Sequence, residues 1–241
     1  PRDFDPLLGW RARRVPEKER TRIPVQSWSA LFAAAENAHE KLTLATGLYL
    51  FLRVSEIAAL QVDDVDLQNG FINVYRQKTQ ERDVMPISSE LEVHLREHLT
   101  WMAERGFGDQ RHYLLPRFVK NYQQVNGRFA KGVSTLDPTR PATSLHRHVQ
   151  RVVERAGFSL EKGEGGHALR RSGARAYFDS LVEDGYDGAL RRVQSMLGHK
   201  TSLMTEVYLG LNLDRQSRNS DLARKPMFPA LANVSRLREA R

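Results

Sequence analysis

The 241 residues carry a formal net charge of +8, and 40% are hydrophobic and 27% charged, as in an ordinary globular protein of one large or two small domains. A basic balance favours polyanionic partners such as nucleic acid or an anionic membrane surface. The lack of cysteine excludes disulfides, thiolate metal sites and cysteine nucleophiles, and no apolar run reaches the ~18–20 residues of a membrane span.

Residues 1–24 have the composition of a basic linker or arm. Seven lysines and arginines stand against four acids, and Pro6, Pro16 and Pro24 interrupt the segment. One interpretation is a solvated tail, and the other is a strap that joins two domains and touches a nucleic-acid backbone. The chain opens at Pro1 without Met, so we expect a fragment or processed form of something longer.

The pattern along the rest of the chain predicts helices around one small sheet. Ser27 predicts the start of a helix at about Trp28, and an apolar run predicts a second helix from about Leu42 to Leu60. The β-rich runs 71–75 and 84–87 predict antiparallel strands, with Lys78 on the turn between them. Further helices are predicted at about 89–104, 144–156, 167–183, 188–197 and 202–209. The fold class is therefore α+β, mainly α-helical with a small antiparallel β-sheet.

The segment 117–151 is unusually basic and contains interleaved aromatic residues. It holds seven lysines and arginines and one acid, Asp137, together with Phe118, Tyr122 and Phe129. Cations for phosphates and aromatic side chains for packing favour a nucleic-acid surface, while a solvated loop and helix face is the alternative.

The most informative residues lie late in the chain. Leu197-Gly198-His199 is followed nine residues later by Tyr208, a candidate nucleophile whose phenol needs cations or hydrogen bonds to ionise near neutral pH. His167 and Arg170 are three residues apart and share a helix face, just after a glycine-rich stretch that allows close backbone approach. Histidine is suited to proton transfer, and a guanidinium can hold two phosphate oxygens.

Two earlier cations complete the candidate set. Arg53 follows a strongly apolar run, where a charge needs a partner, and Glu56 is a natural one three residues on. Lys78 lies on a predicted turn, where a flexible ammonium could reach a leaving oxygen. Each residue alone has an ordinary structural explanation, namely a packed tyrosine, a surface ion pair or a solvated lysine.

In this order and spacing the residues resemble the catalytic domain of the tyrosine recombinase or phage integrase family. The resemblance covers roughly residues 25–210. Arg53-Val54-Ser55-Glu56-Ile57 is similar to the first arginine box, and Gln77-Lys78-Thr79 to the β-hairpin lysine. His167-Ala168-Leu169-Arg170-Arg171 resembles the second box, and Leu197-Gly198-His199 with Tyr208 resembles the third box and the nucleophile.

The chain departs from the family pattern in two places. The family usually has glycine two residues before the first arginine, where this chain has Phe51. The stretch between Arg170 and His199 is slightly long, and we expect the inserted turn at residues 184–188. Neither departure removes a candidate catalytic residue.

The resemblance implies a chemistry. Tyr208 would attack the scissile phosphate to give a 3′-phosphotyrosyl bond and a free 5′-hydroxyl. Arg53, Arg170 and His199 would stabilise the transition state, His167 would accept a proton, and Lys78 would protonate the 5′ oxygen. No metal and no cofactor are expected, because the arginines supply the counter-charge and the phosphotyrosine stores the bond energy.

The resemblance also implies partners and an organisation. We expect double-stranded DNA, a homotetramer on two DNA sites, an accessory directionality or DNA-bending protein in some settings, no membrane, and a cytoplasmic, nucleoid-associated location in a bacterial cell. Residues 1–24 would join a missing N-terminal core-binding domain to a catalytic domain at 25–210. Residues 211–241 would form a tail and a helix that docks on its own domain or on a neighbouring subunit.

Several functions fit these features. The basic linker and the segment 105–140 favour a phage or mobile-element integrase, and an Xer-like chromosome or plasmid dimer resolvase is the alternative. A type IB topoisomerase or telomere resolvase uses related chemistry. A DNA-binding regulator would explain the charge but not Tyr208 with its partners, and a structural protein would explain neither.

Overall fold

The computed structural model describes residues 20–119, 122–125, 128–131, 135–161 and 163–211. The basic linker up to residue 19 and nearly all of the C-terminal tail lie outside these ranges. In the part of the chain that is described, no helix is long and apolar enough to cross a membrane.

The described residues contain eight α-helices, three short 3-10 helices and seven strands, and the predicted class, mainly α-helical with a small antiparallel sheet, is confirmed. The helices are α1 (Trp28–Ala33), α2 (Ala38–Tyr49), α3 (Val54–Ala59), α4 (Ser89–Ala103), α5 (Leu145–Arg155), α6 (Gly165–Leu181), α7 (Tyr186–Leu197) and α8 (Ser202–Leu209). The predicted start at Trp28 is confirmed, although the Ser27 side chain makes no capping hydrogen bond.

The prediction of one helix from Leu42 to Leu60 is wrong. The chain leaves the helix after Tyr49 and re-enters one at Val54. Between them Phe51 has a φ of +52°, in the left-handed region that a helix cannot contain. The uninterrupted apolar run hides this break, because both helices and the link between them are buried.

The predicted small antiparallel sheet is present, and it has three strands in the order β1-β2-β3. Its strands are β1 (Val65–Asp66), β2 (Phe71–Arg76) and β3 (Glu81–Pro86). Lys78 lies on the turn between β2 and β3, also as predicted. The β2 side chains alternate between solvent and core, with Ile72, Val74 and Arg76 buried.

The basic segment after α4 forms two successive antiparallel ladders that the sequence reading missed. The outer strands are β4 (Pro116–Val119) and β7 (Thr135–Pro141), and the inner strands are β5 (Tyr122–Val125) and β6 (Arg128–Lys131). We call residues 116–141 the basic hairpin. Its base is anchored by Phe118, whose ring lies 5.1 Å from that of His39 and 5.8 Å from that of His148.

Helix α2 lies at the centre of the protein and packs against α4, α5 and α6. It is buried along nearly its whole length, which requires an apolar sequence on all sides rather than a single stripe. Gly173 of α6 contacts the last turn of α2, where an added Cβ would overlap the Leu48 carbonyl. This close crossing brings the end of α2, and so Phe51, against α6.

The glycine-rich start of α6 allows close packing, as expected. A Cβ on Gly165 would lie 2.8 Å from the His146 carbonyl oxygen of α5, and one on Gly166 would overlap Val54 at the start of α3. The starts of α3 and α5 therefore both pack against the start of α6. Within residues 184–188, where an inserted turn is expected, the chain turns at Gly185, which has a φ of +132°, and α7 begins at Tyr186.

Candidate active site

The first arginine of the site lies at the start of its own helix. Arg53 is the N-cap of α3, with extended backbone at φ −73° and ψ 151°. Its backbone N–H and its Nη1 donate to the two carboxylate oxygens of Glu56, at 2.8 and 2.7 Å. A carboxylate at the third helical position that accepts from the N-cap N–H is half of a capping box. The Arg-x-x-Glu spacing therefore fixes both the helix start and the guanidinium.

Glu56 holds two further arginines from distant parts of the chain. Its Oε2 accepts a hydrogen bond from Arg76 Nη1 at 3.2 Å and lies 3.5 Å from Arg170 Nη1. The Glu56 side chain is 1% exposed, and those of Arg76 and Arg170 are 4% and 2% exposed. Arg53 retains 27% exposure. One buried carboxylate thus organises three guanidinium groups, of which Arg53 is the most accessible to a ligand.

Arg170, in the first half of α6, is also held by two backbone carbonyls. Its Nη1 donates to the Phe51 carbonyl, and its Nη2 donates to the Leu197 carbonyl at 2.7 Å. Burial lowers the pKa of Arg170 to about 10, with the nearby charge of Arg53 acting in the same direction. The guanidinium therefore remains cationic at neutral pH.

The third box places a histidine beside these arginines. Helix α7 ends at Gly198, whose φ of +62° reverses the chain and directs it into His199. The His199 Nδ1 lies 3.1 Å from the Thr205 hydroxyl. Burial, with the charges of Arg170 and Arg53 acting in the same direction, lowers the pKa of His199 to about 4. The imidazole is therefore neutral at pH 7 and can donate a hydrogen bond.

Tyr208 lies on α8 next to both groups. Its ring centroid is 5.3 Å from that of His199 and 5.9 Å from the Arg170 guanidinium carbon. Its hydroxyl is buried and lies beside the Arg170 side chain. Burial raises the pKa of Tyr208, against the opposing effect of Arg170 and Arg171. The phenol is therefore protonated before a substrate arrives, so its proton must leave as the oxygen attacks.

His167 and Lys78 lie at the edge of this cluster. Burial of the His167 ring lowers its pKa, and Arg171, Arg170 and Arg53 add to the effect, so this imidazole is also poised to be neutral. Lys78 is exposed on the β2–β3 turn, and its charge is among those that lower the pKa of His199. Arg53, Arg170, His199 and Tyr208 are thus joined by contacts. His167 and Lys78 are connected to this cluster by the effects of nearby charges on the pKa values of His167 and His199.

The sequence reading missed two parts of the site. Arg76 is a buried third guanidinium, and Phe51 supplies a carbonyl to Arg170. A signal for Arg76 was present, because it falls on the inward face of β2 in step with Ile72 and Val74. Among the described residues no group of three or more histidines and acids is arranged to hold a metal ion.

Sequence comparison identifies the family. A profile of the phage integrase family matches residues 22–215, which include every residue of the site. The chain belongs to the phage integrase family.

Two curated relatives illustrate the similarity of this chain to known proteins. Tyrosine recombinase XerC of Lactobacillus delbrueckii subsp. bulgaricus is 30% identical over 174 residues, which cover 71% of this chain and 49% of the relative. A protein of Escherichia coli named integrase/recombinase is 28% identical over 176 residues, covering 65% of this chain and 50% of the relative. The chain spans about half the length of the curated relatives that it matches.

A solved structure of a recombinase has a fold similar to that of this chain. The XerH site-specific recombinase, bound to a palindromic difH substrate in a post-cleavage complex, superposes with a TM-score of 0.60 at 18% identity. The match covers 89% of this chain and 56% of that one. At this identity the likeness is one of fold.

The backbone conformation of Phe51 is unusual for a residue with a side chain. It occupies the position where the family resemblance leads us to expect glycine, and its positive φ is the conformation that glycine adopts without strain. The Phe51 side chain is buried in the cluster that also contains Leu197, Leu209 and the Tyr208 ring. The chain therefore accepts a strained residue whose ring ties the Arg170 anchor to the helix that carries the tyrosine.

We predict that glycine is more stabilising than alanine at position 51, which reverses the usual order of these two residues. Phe51→Gly and Phe51→Ala both lose the ring, but the alanine must also adopt a left-handed backbone, so the glycine variant should be more stable by about 1 kcal/mol. Urea unfolding of both variants measures the difference. Leu50, which is equally buried but has a φ of −103°, is the control, and there alanine should be the more stable residue. An alanine variant at position 51 as stable as the glycine variant would show that the backbone is not held at positive φ.

Proposed function

We propose that the chain is the catalytic portion of a site-specific DNA recombinase that cleaves and rejoins DNA through a 3′-phosphotyrosyl intermediate. One observation carries the proposal. Arg53, Arg170, His199 and Tyr208 come from four separate parts of the fold, at or next to helices α3, α6, α7 and α8, and converge on one cluster, with the guanidinium groups held by Glu56 and backbone carbonyls. The phage integrase family, and relatives named as recombinases, support the same conclusion.

The geometry suggests how the groups divide the work. The Tyr208 oxygen forms a bond to phosphorus while the bond from phosphorus to the 5′ oxygen breaks. Arg53 and Arg170 hold the nonbridging oxygens, and neutral His199 donates a hydrogen bond to one of them, which is the electrostatic contribution that usually dominates. The phenol proton passes to His167, and the Lys78 ammonium protonates the departing 5′ oxygen.

The buried charged groups of the site are already held in place before a substrate binds. Arg170 and Glu56 are almost completely buried and make their hydrogen bonds before any substrate is present. Charges fixed in advance need no reorganisation when negative charge develops on the phosphate. Arg53 keeps part of its surface exposed, so it can exchange water for a phosphate oxygen.

The assembly of the whole protein is also a proposal. We infer that residues 1–24 lead from a DNA-binding domain into a catalytic domain at 25–210. The end of that linker is docked, since the Ile23 N–H donates to the Ser172 hydroxyl at 2.7 Å and Arg171 binds the Thr21 carbonyl. The tail at 211–241, almost all outside the described residues, has an apolar stripe suited to docking on a neighbouring subunit of a homotetramer.

Two biological roles fit. The basic linker and the basic hairpin suit a phage or mobile-element integrase. Relatives named XerC favour the Xer-like role, the resolution of chromosome or plasmid dimers. Both roles require the same cleavage chemistry.

The basic hairpin is a proposed DNA contact. It carries Arg117, Lys120, Arg128, Lys131 and Arg140 against one acid, Asp137. Its last strand leads into α5, whose first turn packs on the start of α6, where His167 lies. The chain therefore runs from the hairpin through the start of α5, which packs on the start of α6, and we propose that the hairpin follows the phosphate backbone beyond the scissile bond.

Tyr208→Phe should abolish covalent capture of DNA, because the variant lacks the only oxygen of that side chain. The substrate is a pool of duplexes with randomised sequence around a single nick, and the readout is a protein–DNA adduct that survives denaturation. Tyr177→Phe is the matched control, since Tyr177 packs on the same cluster as Tyr208. An adduct of normal yield with Tyr208→Phe would refute the assignment of the nucleophile. Sequencing the DNA captured by the wild-type chain also identifies its site.

Replacing Arg128 and Lys131 with Gln should make DNA binding less sensitive to salt. Each phosphate contact adds about 0.9 to the slope of log affinity against log salt, so the double variant should lower the slope by up to roughly 2. Arg96→Gln with Arg105→Gln removes the same charge from the exposed surface of α4 and the turn that follows it, and should leave the slope nearly unchanged. Equal slopes for the hairpin variant and the wild type would exclude the hairpin as a phosphate contact.

A further inference from the structure

Arg76 is a charged residue where the fold calls for an apolar one. It is the last residue of β2, and it faces inward in step with Ile72 and Val74. It is 3% exposed, as buried as the core residues around it. Burying a guanidinium is costly unless every part of it is paired, so the contacts that hold Arg76 indicate what it does.

The Arg76 side chain joins three separate elements. Its Nη1 donates to Glu56 of α3 at 3.2 Å. Its Nε and Nη2 donate to Asp83 of β3 at 3.2 and 2.8 Å. Its Nη2 also donates to the Met196 carbonyl at the end of α7, at 2.8 Å. The planar fork of arginine makes all of these contacts at once, which the single ammonium of lysine cannot do.

The Arg76 backbone closes the turn that carries Lys78. The backbone N–H groups of Thr79 and Gln80 donate to the Arg76 carbonyl at 3.1 and 2.7 Å. Gln80 has a φ of +57°, so the turn is tight and strained. The same residue therefore defines the turn through its carbonyl and attaches the turn to the core through its side chain.

The contacts of Arg76 lie next to those of the catalytic groups. Met196, whose carbonyl binds Arg76, precedes Leu197, whose carbonyl binds Arg170. A Cβ on Gly198 would lie 3.8 Å from Arg76 Nε, one residue before His199. Glu56 binds Arg76 with the same oxygen that faces Arg170. The position of the hairpin is thus set against the groups that surround the phosphate.

We propose that Arg76 is a positioning residue that holds the Lys78 turn in register with Arg53, Arg170 and His199. Arg76 is buried and acts through its neighbours, without touching the substrate. Its loss would let the hairpin shift and would move the Lys78 ammonium away from the 5′ oxygen. This inference rests on the proposed role of Lys78 as the proton donor.

The test compares two DNA substrates that differ in one atom. One carries the natural 5′ oxygen at the scissile bond, and the other carries sulfur there, which leaves as a thiolate without needing a proton. Both use the site recovered from covalent capture by the wild-type chain. Single-turnover cleavage is measured for the wild type, Lys78→Ala, Arg76→Met and Asp83→Asn. DNA affinity is measured in parallel.

Arg76→Met should slow cleavage of the oxygen substrate by roughly tenfold to hundredfold, the effect of a catalytic group misplaced by about 1 Å. Most of that loss should disappear with the sulfur substrate, and DNA affinity should be unchanged. Asp83→Asn, which weakens the tie at a half-exposed partner, should show a smaller loss with the same recovery. It decides the question if Arg76→Met does not fold.

The experiment distinguishes a wrong role for Lys78 from a wrong role for Arg76. If Lys78→Ala is not recovered by sulfur, the proposed role of Lys78 is wrong and the positioning role falls with it. If Lys78→Ala is recovered but the folded Arg76→Met and Asp83→Asn are equally slow on both substrates, only the positioning role is overturned. Normal cleavage of the oxygen substrate by Arg76→Met would overturn it as well.

Discussion

The buried carboxylate of Glu56 is the constraint on which the rest of the structure depends. Three guanidinium groups, from β2, the start of α3 and the first half of α6, converge on it, and two of them are almost completely buried, like the acid itself. Cations packed this closely would repel one another without a shared anion, and their burial would be uncompensated. A single negative charge cannot neutralise three positive ones, so the cluster retains an excess positive charge. That excess is what a phosphodiester can neutralise.

The unusual backbone of the site follows from this arrangement. α2 and α3 are separated by a short non-helical link, because Arg53 must start a new helix to reach Glu56, and the link exposes the Phe51 carbonyl to Arg170. The end of α7 turns at Gly198, which presents the Leu197 carbonyl to the other side of the same guanidinium. The Arg170 guanidinium thus donates to backbone carbonyls at or just beyond the ends of α2 and α7, where no helical hydrogen bond occupies them. The tyrosine helix then packs over the cluster.

The sequence predicted the outline of the fold and every residue of the proposed chemistry, but not how they are held. Helical periodicity gave α4, α6 and α8 closely, and the alternation in β2 and β3 placed Lys78 on its turn. The single helix from Leu42 to Leu60 was wrong because a buried link has the same apolar composition as a buried helix. The role of Phe51 depends on a dihedral angle that composition does not report. The position of Arg76 was readable from its register, but its partners are distant in the chain and meet only in the folded protein.

The most direct test of this account is the free energy of unfolding of Glu56→Gln, measured by urea titration at pH 7. Glutamine keeps the size and part of the hydrogen bonding of the acid but removes the charge that three arginines share. Breaking a buried ion pair by removal of one partner typically costs about 3–5 kcal/mol, and a loss of that size is expected here. Glu92→Gln, which breaks the exposed pair with Arg96, should cost less than about 1 kcal/mol. A Glu56→Gln variant as stable as that control would contradict the view that this carboxylate holds the site together.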